Sequence, residues 1–174
     1  MKKLLFLLII PIFFFSCGDD GVGFDMSYRQ DFEIPAGLNT FDTHVFPFVN
    51  IPTNKNSFFT ANDVTESDIT SITPREARLN INFGDEDFYF VRQVIVEILT
   101  EELDNNGNLR WKEIYFRENV PLNTGRSIIL LPSLPQVTEE LTSDQFTVRV
   151  EMLFRDISPT FIDARLEMVF LTKY

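Results

Sequence analysis

The segment 146–170 constrains the fold more than any other part of the chain. Phe146, Val148, Val150, Met152 and Phe154 alternate with Thr147, Arg149 and Glu151, and the pattern returns as Ile162, Ala164, Leu166, Met168 and Phe170. Successive side chains of a β-strand point to opposite faces, so an apolar residue at every second position means a strand with one face buried. Residues 156–160 carry Ser158-Pro159, a turn signal, and the two runs read as a hairpin around it.

The same period recurs upstream. Ala77, Leu79, Ile81 and Phe83 alternate with Glu76, Arg78, Asn80 and Asn82. Residues 93–100 place Val94, Val96 and Ile98 on one face and Ile95, Glu97 and Leu99 on the other, as in a central strand. Asn106-Gly107 then marks a hairpin turn, because such turns require positive φ, and residues 109–116 return as a strand carrying Trp111. Shorter strands are expected at 31–34, 44–51 and 127–131. Pro47 places the second of these at an edge or a bulge. Helix is confined to one or two turns within 60–72 and single turns at 88–93 and 137–141. Seven or eight antiparallel strands, one or two short helical turns and no βαβ alternation predict an all-β, two-sheet antiparallel sandwich of immunoglobulin-like or related Greek-key topology.

The N-terminus reads differently. Lys2 and Lys3 precede an apolar run over 4–15, interrupted only by Pro11 and followed by Ser16 and Cys17. A run of this length falls short of the roughly 20 residues needed to cross a bilayer, so it reads as a cleaved signal peptide. Cys17 is the only cysteine, so it has no internal disulfide partner. Phe14-Phe15-Ser16-Cys17 resembles the lipobox of bacterial lipoproteins, in the looser form found in Bacteroidota. The resemblance implies that cleavage follows Ser16 and that the Cys17 sulfur carries a diacylglycerol. Asp19 and Asp20, within Gly18-Asp19-Asp20-Gly21, resemble the acidic tag that sends such lipoproteins to the outer face of the outer membrane; a plain solvated linker accounts for the same residues. Gly18 beside the cysteine departs from the inner-membrane retention signal of other bacteria. Two or three acyl chains, at about 0.8 kcal/mol per buried CH₂, make a durable membrane anchor.

These readings divide the chain into a signal peptide (1–16), a lipidated cysteine with a flexible tether (17–30) and a β-sandwich domain (31–174). A tether of about 13 residues spans roughly 20 Å. Removing the leader takes the formal charge from −11 to −13, which disfavours nucleic acid and anionic headgroups as partners. The layout resembles the small β-sandwich lipoproteins that Bacteroidota encode in large numbers.

Candidate chemistry is sparse. His44 is the only histidine, and with Cys17 lipidated no second soft ligand is available for zinc. Asp104, Asn106 and Asn108 place oxygens at alternate positions, faintly like the start of a calcium loop, yet the closing Glu is missing and a hairpin turn explains them equally. Asp85-Glu86-Asp87 reads as a solvated loop. Glu97, Glu151, Asp163 and Glu167 fall on polar strand faces. Trp111, Tyr115, Tyr89, Phe58 and Phe59 are the candidates for an aromatic platform, and Phe58-Phe59, in a Thr/Asn/Ser-rich segment, is the pair that core burial explains least. No nucleophile, phosphate-loop or dinucleotide motif is present.

The expected protein is thus a non-catalytic binding or structural module of the cell envelope, without a cofactor and lipid-anchored in the outer membrane, facing an envelope protein or glycan. The alternatives are a hydrolase of envelope glycans or peptides, using carboxylates about 5 to 9 Å apart, and a calcium-stabilised adhesion module.

Overall fold

A computed structural model of the protein describes residues 22–103 and 106–174. Eight strands carry the fold: β1 (Gly23–Ile34), β2 (Thr43–Pro52), β3 (Ser71–Ile81), β4 (Val91–Leu103), β5 (Leu109–Arg117), β6 (Ser127–Pro132), β7 (Gln145–Phe154) and β8 (Ile162–Lys173). Two short helices, α1 (Lys55–Ala61) and α2 (Thr138–Thr142), and a 3₁₀ turn at Glu66–Asp68 lie in the connections.

All pairings are antiparallel, and the strands form one sheet in the order β1-β8-β3-β6-β5-β4-β7-β2. The expected all-β antiparallel architecture is what the structure contains, but as one nearly closed, barrel-like sheet in place of two separate ones. The physical reason is β6. Ser127, Ile128, Ile129 and Leu130 pair with β3, while Leu131 and Pro132 pair with β5, so one short strand joins the two halves. Pairing is nested: β1 with β8, β2 with β7, β3 with β6, β4 with β5.

The nesting corrects the expected C-terminal hairpin. β7 bonds to β2 and β4, and β8 to β1 and β3, so residues 155–161 cross from one half of the sheet to the other. Alternation reports which face of a strand is buried, not which strand lies beside it. β1 begins at Gly23, within the span 17–30 expected as a flexible tether, so residues 23–30 are strand. Phe24, Met26, Tyr28, Phe32 and Ile34 face inward along it, with the polar Gln30 interrupting the apolar row. Phe83 lies beyond the end of β3 and is exposed, and residues 88–90 form a turn without helix. Pro47 does lie on an edge strand, and β2 also contains a register shift between Phe48 and Ile51, where Asn50 takes φ 57°.

The apolar rows of all eight strands meet inside the bent sheet. Tyr28 of β1 packs against Phe146 of β7, ring centres 4.8 Å apart, and Tyr115 of β5 against Phe170 of β8 at 5.7 Å. The open edges β1 and β2 are closed by side chains alone, with Phe32 at 5.1 Å from Phe46 and 5.4 Å from Phe48. Tyr115 is fully buried, and its hydroxyl crosses the core to donate to the Val169 carbonyl of β8 (2.6 Å). Thr172 Oγ1 is the one buried side-chain polar atom without a partner among the described residues.

These two hydroxyls should respond oppositely to removal. Tyr115→Phe should cost about 1–3 kcal/mol by leaving a buried acceptor unpaired, whereas Thr172→Val should be neutral or stabilise by about 1 kcal/mol. Urea denaturation of both variants checks the contrast.

Candidate functional site

The register puts four connections at one end of the sheet: residues 35–42, 82–90, 118–126 and 155–161. Residue 22, the α1 segment, the β4–β5 hairpin loop and α2 lie at the other end. The four loops form a knitted cap. Gly37 N–H donates to the Ser158 carbonyl (2.9 Å) and Ser158 N–H to the Leu38 carbonyl (3.3 Å). The buried Ser158 hydroxyl accepts from Leu38 N–H (2.9 Å) and donates to the Pro35 carbonyl (2.7 Å). Gly37 makes this possible at φ 79°, a conformation that side chains resist.

The other two loops are tied in the same way. Phe88 N–H donates to Gly125 O and Val120 N–H to Arg92 O, both at 2.9 Å, and Arg155 N–H donates to Phe90 O at 2.8 Å. The Arg155 guanidinium donates through Nε to Val91 O (3.1 Å) and through Nη2 to Val120 O. Phe88, Phe90 and Val120 are buried beneath the loops and anchor them to the core. His44, half-buried, bonds through Nε2 to Asn39 O (2.8 Å) and stacks on Phe154 at 4.8 Å, a capping role for the 35–42 loop.

Above these anchors, each loop turns a large apolar side chain outward. Phe41 is 92% exposed, Phe83 74%, Leu122 67% and Ile157 59%, and Phe161 is exposed beside Ile157. A shallow depression of about 550 Å³ opens between Thr40, Asn119, Leu122 and Arg155. Asp42, Asp85, Glu86, Asp87, Glu118 and Asp156 lie in the same four loops. Scattered exposed apolar residues are ordinary on a protein surface; several from separate loops gathered at one rigid end are not.

The residues singled out in the sequence are dispersed. Ser16, Cys17, Asp19, Asp20 and Asp104 lie outside the described residues. Asn106 and Asn108 are exposed beside Gly107, whose φ of 80° fits the expected hairpin turn. Among the described residues, no three His, Cys, Asp or Glu side chains converge as a metal site would require. Phe58 and Phe59 do not form an exposed loop. They sit on α1, where Phe59 is buried against Phe24 (6.2 Å) and Phe58 packs near Tyr28 (6.0 Å), because the segment folds back and lays its aromatic side on the core.

The aromatic platform is not assembled either: Tyr115 is in the core, Tyr89 is in the cap, and Trp111 lies under the guanidinium of Arg149 (4.3 Å). That same guanidinium holds both Glu97 (2.6 Å) and Glu151 (3.0 Å), so these two carboxylates share one cation on an outer sheet face. Glu167 pairs with Arg29 (3.1 Å). Asp163 lies on β8 near the cap, opposite Glu33, while Asp31, opposite Arg165, has its carboxyl held below the ordinary range by hydrogen bonds from Arg165 and Asn82. A second cavity, of about 420 Å³, lies at the opposite end, where Glu101, Glu139 and Glu140 meet Leu99, Leu109 and Phe146. Glu140 there pairs with Lys112 (3.5 Å).

No protein-family model and no curated protein matches the chain. Among solved structures, the chain is similar to a Nora virus structure, with 10% identity and a TM-score of 0.33 over 98% of this chain, which spans 65% of that one. It is also similar to a Desmodium yellow mottle tymovirus structure, with 10% identity and a TM-score of 0.29 over 99% of this chain and 95% of that one. At these scores neither likeness carries an argument.

The knitted cap should depend on Ser158. Ser158→Ala strands the Leu38 amide and the Pro35 carbonyl, at a cost of about 1–3 kcal/mol. Hydrogen exchange should then quicken in residues 35–42 while the amides of β3 and β8 stay protected.

Proposed function

We propose that the protein is a lipid-anchored, non-catalytic binding module of the bacterial outer membrane that meets an envelope partner through its loop cap. The observation that carries this reading is polarity along the sheet: the chain enters β1 at the end opposite the cap. With Cys17 lipidated, only a few residues separate the bilayer from that end, and the cap faces away from the membrane. Loops held by a rigid scaffold are where β folds most often place recognition. The nested pairing favours the related Greek-key alternative over the immunoglobulin-like one, as a jelly roll whose two halves stay joined at β6.

A hydrolase of envelope glycans or peptides is the second reading, supported by the glutamate-lined cavity at the other end. The two readings place function at opposite ends of the same sheet. A photo-crosslinking residue at Leu122 should yield a discrete adduct in the native host, and the same residue at Leu109 should not. Replacing Cys17 with Ser should release the protein from the membrane fraction and abolish the adduct. An adduct only from Leu109, or membrane association unchanged by Cys17→Ser, overturns the proposal.

A further inference from the structure

Resting on the cap as the binding end, we infer that its partner is a basic protein segment whose apolar side chains seat among Phe41, Leu122, Ile157 and Phe161. The apolar half of the argument is exposure: these side chains come from three loops whose backbones are hydrogen-bonded to one another or to the strand ends beneath them, so little ordering is left to be done on binding. Aromatic and large aliphatic anchors ringed by polar groups are the usual layout of an interaction hot spot.

The charged half fixes the sign of the partner. Six carboxylates, Asp42, Asp85, Glu86, Asp87, Glu118 and Asp156, occupy the four loops, against two cations, Arg126 and Arg155. Arg155, half-buried, donates to Val91 O and Val120 O, whereas Arg126 donates one bond to Ile81 O (3.2 Å) and stays exposed, as does Arg92 where β4 enters the depression. Six carboxylates outnumber the two loop cations and Arg92, so the rim offered to a partner is net negative. A second copy of this chain would bring the same negative rim and a formal charge of −11, and an anionic lipid surface would meet like charge. A lysine- or arginine-bearing segment is complementary, and its association should be accelerated by charge and weakened by salt.

The test uses the full chain in detergent with two fluorescent synthetic peptides, one alternating lysine with leucine and one alternating glutamate with leucine. The lysine peptide should bind, and the glutamate peptide should not. The combined variant Asp85→Asn, Glu86→Gln, Asp156→Asn should weaken lysine-peptide binding about tenfold and flatten its salt dependence. Phe41→Ser with Leu122→Ser should weaken it by a similar factor. All five positions are exposed or half-exposed, and circular dichroism of each variant checks that the fold persists.

The failures separate cleanly. If the glutamate peptide binds as well, and cap variants remove both, the cap is a binding end and the basic partner is wrong. If the lysine peptide binds but responds only to Glu101→Gln and Glu139→Gln in the opposite cavity, the cap itself is wrong. Binding by neither peptide, a preference for anionic vesicles, or sedimentation showing a dimer that cap variants dissolve also overturns the inference.

Discussion

Beyond the backbone joint at β6, the Tyr115 hydroxyl ties the two halves of the sheet across the core, and its position depends on an irregularity in β3. The β3–β8 register slips between Pro74 and Glu76, leaving Arg75 as an extra residue. Ile72 and Pro74 face inward before the slip, and Ala77, Leu79 and Ile81 after it, so the bulge switches the inward set from even to odd positions. Without it, one half of β3 would turn Arg78 and Asn80 into the core. The Tyr115 hydroxyl reaches this place from β5, donating to Val169 O and bonding to the backbone of Arg75. Burial pushes its ionisation above the usual tyrosine range, which favours the protonated form that donates this bond.

The local rows of the fold were legible in the sequence, and their neighbours were not. Val148, Val150 and Met152, or Leu166 and Met168, announce an inward face by period alone, and all are buried. That β7 and β8 lie in different halves depends on residues far apart in the chain, such as Thr43 meeting Leu153 and Ser71 meeting Lys173. β1 was partly hidden for a different reason: Gln30 interrupts its inward row, although Phe24, Met26 and Tyr28 continue the same phase. Phe58-Phe59 misled because loop-like composition says nothing about a segment folding back onto the core. The cap leaves no periodic signal, because single apolar residues, Phe41, Leu122 and Ile157, stand in three turn-rich stretches, and only the nesting of the strands brings those stretches to one end.

Nesting also leaves the sheet with two open edges, β1 and β2. A sheet that stops short of closure leaves β1 and β2 with unpaired backbone groups, an invitation to another strand. β2 blunts its edge with Pro47 and the irregularity at Asn50. Along β1 the outward row is Asp25, Ser27, Arg29, Asp31 and Glu33, and Phe32 packs across the gap onto Phe46 and Phe48. Gly23 lets the start of this edge strand lie close to β8, since a Cβ there would meet the Thr172 carbonyl at 2.6 Å. Charge, proline and aromatic closure together discourage strand addition.

What the edges refuse, the cap offers in a form suited to a chain with one cysteine. Cross-links that stiffen the loops of many small exported domains are unavailable here. Their work is done by backbone hydrogen bonds radiating from two side chains, the Ser158 hydroxyl and the Arg155 guanidinium. Turning the half-buried Arg155 inward to satisfy two carbonyls draws one positive charge of the loops toward the backbone, while Arg126 keeps its single bond to Ile81 O at the surface. At Arg155 rigidity and negative sign thus have a common cause, and a substitution that loosens the cap by freeing Arg155 should also blunt its charge.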